Sequence, residues 1–266
     1  MILEQWKAYQ VGLTERSDAV ISVPARLLTE PSAMEAHLRQ YAPLMKALEL
    51  PAAAAYFCAN FAFVALTLQL SISLNSTAPD LSLDNITVQL YPDNGKFAYW
   101  YKLERYSAEA APTCEHSRSE WIKEKQIHFY RHTVRPLFEA VSAVGGLGIA
   151  HLWGLLPTKF NYHISDWIDK AKTNEQKQRI AEDYSILIRH VPAEAFGRAK
   201  NPFDVSIRWL EDLRDPAKQV RMKNVCCMYY RTEGGQYCYT CPRMDEQARA
   251  ERRDQAREQQ VVTVAR

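Results

Sequence analysis

Glycine is scarce in this sequence, with nine in 266 residues, and the charges nearly cancel to a formal net of +2. The first shortage excludes collagen-like and low-complexity architectures. The second removes a global field for steering onto nucleic acid, so no nucleic-acid partner is expected. No G-x-G-x-x-G, P-loop or flavin-type signature is present. The one glycine-dense run, Gly145-Gly146-Leu147-Gly148, lacks the preceding strand and following acidic residue of a dinucleotide site and reads as a helix kink or close packing. A bound NAD or flavin is therefore not expected. Met1 to Gln10, with Glu4 and Lys7 around Trp6, lacks the basic and apolar regions of a secretory signal, which points to a cytoplasmic protein.

What the chain does contain begins with an uncharged run between Glu49 and Asp80, long enough to span a membrane. Its alanine content, Asn60 and Gln69 inside it, and Pro51 at a first-turn position favour a buried core helix. Peripheral inner-membrane association stays open. Residues 32–48 have helical periodicity, with Ser32 as an N-cap. Residues 85–103 are β-branched and aromatic around Asn94-Gly95, the strongest short hairpin signal. Helical periodicity returns over 119–144, with Pro136 marking a break, and 161–190 holds one or two more helices. Helices and hairpins mix without a βαβ rhythm, so the expected class is α+β with an antiparallel sheet. The expected division is a main domain over 1–215, a cysteine-rich segment over 216–244 and a charged tail over 245–266. The tail reads as a solvated or frayed helix and is assigned no function.

Four of the six cysteines fall between Cys226 and Cys241. Cys226 and Cys227 are adjacent, ten residues follow, and Cys238 and Cys241 form a C-x2-C pair. A chain without an export signal keeps thiols reduced, so metal ligation is favoured over disulfides. Adjacent cysteines suit poorly the two spaced pairs that wrap one zinc ion, and a four-thiolate iron–sulfur cluster makes different demands. Val225 to Tyr230 and Gln236 to Thr240 are β-prone around a Thr232–Gly235 turn, so the segment reads as a hairpin. A regular strand would send Cys226 and Cys227 to opposite faces, and both ligate only if the backbone is irregular there.

These residues, with Tyr229-Tyr230-Arg231, Gly234-Gly235 and Pro242, resemble the C-terminal [2Fe-2S] motif of the FhuF-like ferric siderophore reductases over residues 224–243. Leu152-Trp153-Gly154 resembles an upstream stretch of that family, with Leu155 where an Asn is expected. The resemblance implies that Cys226, Cys227, Cys238 and Cys241 hold the cluster on a small C-terminal iron–sulfur hairpin. It also implies one-electron reduction of a ferric siderophore, of hydroxamate type, in the cytoplasm. With no nicotinamide or flavin, the electron comes from a separate donor such as a ferredoxin, a flavodoxin or a flavin reductase. Arg214, Lys218, Arg221, Lys223, Arg231 and Arg243 form an expected basic collar that offsets the cluster's charge. Of these, Arg221, Lys223, Arg231 and Arg243, with Trp153, are candidate contacts for substrate or donor. The tyrosines among the cysteines are read as shielding and packing. The alternative is a binding or scaffold protein whose four cysteines hold a structural zinc. Glu120, Glu124, His128 and His132 line one helical stripe and read as a solvent face, while Cys58 reads as a buried hydrophobe and Cys114 as a loop thiol.

Overall fold

The computed structural model describes residues 2–264, so Met1 and the last two residues of the charged tail lie outside it. Helix α3 (Leu50–Asn75) forms the axis of an α+β fold. Pro51 sits in its first turn, where an N–H would have no helical partner, and Ser76 ends it in the left-handed region at φ 52°. Alanines 52–55 admit close neighbours, while Phe57, Phe61, Leu66 and Ile72 fill the remaining space. Helices α2 (Pro31–Leu44), α5 (Arg135–Val144), α6 (Ile149–Lys170) and α7 (Asn174–Arg189) surround it. α3 is long and apolar enough to cross a membrane, yet 78% of its most apolar window is buried within the protein. It is a core helix, as its alanine and amide content predicts.

The Asn94-Gly95 hairpin joins β4 (Ile86–Asp93) to β5 (Lys96–Leu103), with both turn residues at positive φ as a two-residue type I′ turn requires. Strand β1 (Val11–Gly12) adds parallel to β5, and β2 (Ile21–Pro24) antiparallel to β4, giving the order β1-β5-β4-β2. Two small ribbons pair β3 (Thr77–Pro79) with β6 (Ala108–Ala110) and β7 (Trp209–Glu211) with β8 (Gln219–Arg221). Helices α1 (Ile2–Lys7), α4 (Glu115–Phe129) and α8 (Glu246–Val264) complete the fold.

Two local expectations change. Ser32 does not cap α2, because Pro31 already occupies its first turn and Glu30 takes the cap position without a side-chain bond. The break near Pro136 is a π turn over Tyr130–Val134 that hands α4 to α5, absorbing the hydrogen bond that proline cannot donate. The glycine run links α5 to α6 by close packing. A Cβ at Gly145 would lie 2.6 Å from the Ala54 Cβ, and Gly146 has φ +71° against Pro51.

Arg118 of α4 donates to both carboxylate oxygens of Asp183 on α7 at 2.6 and 2.8 Å, and to the Ile72 carbonyl of α3 at 3.4 Å. Both side chains are buried, so removing one charge strands the other. Asp183→Asn is expected to lower stability by about 3–5 kcal/mol in urea unfolding. Replacing Arg118 and Asp183 together by Met and Leu should recover most of that loss.

Candidate metal centre

No strand forms between Met222 and Asp245, so the expected cysteine hairpin is corrected to an irregular loop with one 3-10 turn at Tyr229–Arg231. The β propensity of Val225 to Tyr230 is overruled because adjacent cysteines must turn to the same side. Met228, directly after them, takes φ +61°, which reverses the chain. Gly234 takes φ +69°, and a Cβ at Gly235 would fall 2.0 Å from the Tyr229 carbonyl oxygen, so both glycines of the turn are structurally required. The loop is anchored by Leu48 N–H to the Arg231 carbonyl and Glu233 N–H to the Lys46 carbonyl, each at 2.9 Å.

The four thiols come together as two pairs. Cys241 donates to Cys226 at 3.5 Å in a buried pair, and Cys227 bonds Cys238 in a half-buried outward pair. Donors surround the sulfurs. The Met228 and Arg243 amides point at Cys226 and Cys241, both at 3.4 Å, and the Lys223 Nζ lies 3.1 Å from Cys238 and 3.4 Å from Cys227. The bond from Cys238 pulls the Cys227 thiol far down, aided by the Lys223 charge, while the same bond and burial push Cys238 up. Burial raises Cys226. Lys223 itself is raised to about 12: burial opposes its charge, but the sulfurs together outweigh that cost. Such a site favours thiolate sulfur with cationic and N–H compensation.

Helix α6 is the platform beneath the loop. His151, Gly154, Thr158 and Asn161 fall on one stripe at helical spacing. His151 Nε2–H donates to the Cys226 carbonyl at 2.7 Å, Thr158 Oγ1 accepts from the Asn224 amide at 3.1 Å, and the Asn161 carbonyl accepts from Arg221. A Cβ at Gly154 would lie 2.6 Å from a Val225 methyl, so the loop rests directly on helix backbone. Helix α8 closes the other side. Its buried Arg249 donates to the carbonyls of Tyr239, Cys241 and Met244, and Arg252 reaches the Tyr237 carbonyl. The charged tail, read as free of function, thus supplies the side chain that satisfies the loop's orphan carbonyls. Its many charges hid this buried member.

The expected basic collar is only partly present. Lys223 touches the sulfurs with its side chain and Arg243 with its backbone amide, while the Arg243 guanidinium donates to the Tyr230 hydroxyl at 2.7 Å. Arg231 pairs with Glu49 at 2.8 Å, Lys218 with Asp215 at 3.0 Å, and Arg214 is exposed. Arg221 lies over the Trp209 ring at 5.2 Å. Trp153 is a correction. It is 1% exposed among Tyr130, Phe138 and Phe196, and so belongs to the core rather than to a contact surface. The signal in its stretch belongs to Gly154. Tyr239 is buried with its hydroxyl on the Glu211 carbonyl, Tyr230 and Tyr237 pack at 4.4 Å, and Tyr229 is exposed. Cys58 is buried and pushed well up by burial. Cys114 is exposed. Glu120, Glu124, His128 and His132 face solvent.

Among the described residues, no three His, Cys, Asp or Glu side chains gather tightly enough to hold a single ion. Two thiol pairs fit two irons, each completing its coordination with bridging sulfides. Residues 224–243 match the family model described as the FhuF 2Fe-2S C-terminal domain. That match implies a [2Fe-2S] cluster on the FhuF-type segment, with Cys226, Cys227, Cys238 and Cys241 fitting its motif. No curated protein matches the chain.

Gly154→Ala is expected to push the FhuF-type segment off α6, lowering iron per chain and costing about 1–3 kcal/mol. Adding Val225→Ala should restore both, as read by metal analysis and thermal unfolding. Beside this platform, the Lys159 Nζ lies 3.5 Å from the Phe63 ring centroid, and burial followed by the Lys223 charge pushes its amine down to about 7 from 10.5. The folded state then binds fewer protons than the unfolded chain between those values, so this group makes stability climb as pH rises from 7. Lys159→Met is expected to raise stability at neutral pH and to flatten that climb, as measured by urea midpoints across the range.

Proposed function

We propose that this chain is a cytoplasmic ferric siderophore reductase, in which a [2Fe-2S] cluster on Cys226, Cys227, Cys238 and Cys241 supplies one electron to siderophore-bound Fe(III). The observation that carries the reading is the pairing of four thiols under Lys223 and two backbone amides, in the segment that matches the FhuF 2Fe-2S model. Ferric iron is hard and is held by hard oxygen ligands. The ferrous ion carries less charge and is held far more weakly by the same donors, so reduction is release. The electron balance is one in, from an external protein donor of ferredoxin, flavodoxin or flavin-reductase type, and one out, to the iron of a hydroxamate-type chelate.

Each side chain has a definite part in this reading. Lys223 offsets thiolate charge on the outward pair, where a positive group raises the reduction potential. His151, Arg249 and Gly154 hold the loop backbone so that the N–H groups stay aimed at sulfur. Burial of Cys226 and Cys241 excludes water from the inner pair.

Protein isolated anaerobically is expected to be reddish brown, with two irons and two sulfides per chain, and to bleach on reduction. Cys238→Ser should abolish the visible spectrum and the ferric-siderophore reductase activity together. A colourless wild type with one zinc would establish the structural-zinc alternative, and activity surviving loss of the colour would refute the electron path.

A further inference from the structure

Between α6 and the β7–β8 ribbon lies an open groove of about 780 Å³, within the ~300–1,000 Å³ span of small-molecule sites. Two exposed aromatics, Tyr162 and Trp209, form its outer walls, and Lys159, Arg221 and Lys223 face it from the inside. Lys223 is shared. The same amine that lines the groove lies 3.1 Å from the Cys238 sulfur. Thr240, between Cys238 and Cys241 in the chain, also lines it. The Lys223 side chain therefore links the groove to the outward thiol pair.

Its chemistry is selective. Trp209 carries the Arg221 guanidinium on its face, which leaves a flat cationic and aromatic surface. The largely buried Lys159 amine has no hydrogen-bond or ion-pair partner among the described residues and rests only on the Phe63 ring. An oxygen acceptor entering the groove would give this amine a hydrogen bond. Of the two carboxylates at the rim, Asp166 is neutralised by Lys170 at 2.8 Å, leaving Asp169 against Arg221 and Lys223, with the partly charged Lys159 amine beside them. The surplus is positive.

We propose that this groove is the binding site for the chelated metal. Its occupant is an oxygen-donor chelate of a trivalent ion, seated on Trp209, its ligand oxygens accepting hydrogen bonds from Lys159 and Arg221. The proposal rests on the reductase reading above. Metal-bound hydroxamate or carboxylate oxygens keep partial negative charge even in a neutral trihydroxamate complex and so accept hydrogen bonds from the cationic side chains, while the organic backbone covers the aromatic walls. Lys223 then lies between the occupant and the thiols.

The test uses the cluster-loaded full chain and the gallium(III) complex of desferrichrome, a redox-inert counterpart of a ferric trihydroxamate. Calorimetric titration of the wild type is expected to show saturable one-to-one binding. Trp209→Ala, at an exposed strand position, and Ser165→Trp, which fills the groove from α6, are each expected to weaken it at least about tenfold. Both should keep the iron content and visible spectrum of the wild type. If the wild type binds and both variants bind equally well, the groove assignment is wrong. If the wild type reduces the ferric trihydroxamate and both variants do so with unchanged KM, the groove falls while the reductase reading stands. A wild type that neither binds the gallium complex nor reduces the ferric one overturns both.

Discussion

Two neighbouring residues, Cys226 and Cys227, must present their sulfurs to one small volume, and an extended backbone turns neighbours to opposite faces. Much of the C-terminal third answers to that constraint. A left-handed Met228 reverses the chain, two glycines allow the return, and Cys238 and Cys241 arrive opposite their partners. The resulting loop cannot form a ladder, so its polar groups need other partners. They find them in α6 below and α8 beside it, through His151, Thr158 and Arg249.

The helices packed around α3 make that platform rigid. α6 stands against α3, the apolar axis, and its buried face continues through Trp153 and Phe160 into an aromatic cluster. The opposite stripe meets the cysteine loop, with glycine where the two backbones come closest. A helix held on one face by the core and on the other by the loop has little freedom to shift, and such fixed geometry keeps sulfur-directed N–H groups aligned. The buried Arg118–Asp183 pair fastens α4 to α7 in the same core.

Electrostatics divide the site into two halves. Cys226 and Cys241 are buried and rely on backbone amides, whereas Cys227 and Cys238 face outward to Lys223. Lys223 of the outward half also lines the groove. Charge that is neutralised on the inside by backbone dipoles is therefore met on the outside by the single Lys223 cation.

Much of the candidate site was legible from local pattern. Thiol spacing is chemical information carried by the chain itself, and so are the Asn94-Gly95 turn and the alanine-rich uncharged helix, because each rests on properties of neighbouring residues. The need for an irregular backbone at Cys226-Cys227 followed from strand geometry alone. The hairpin expected around it did not survive, since local β propensity is weaker than the demand that four sulfurs converge. Trp153 drew attention as a large aromatic, while the residue that matters for the loop was the small one beside it, Gly154. Its role exists only because α6 and Val225 meet across some seventy positions of chain. Arg249 was hidden in the same way among exposed charges of the tail. The sequence by itself determined which thiols fit the motif and which helix fills the core. Only the tertiary structure decided the pairing of the thiols, the partners of the basic residues and the groove beside Lys223, because each is a distance between segments that no local pattern encodes.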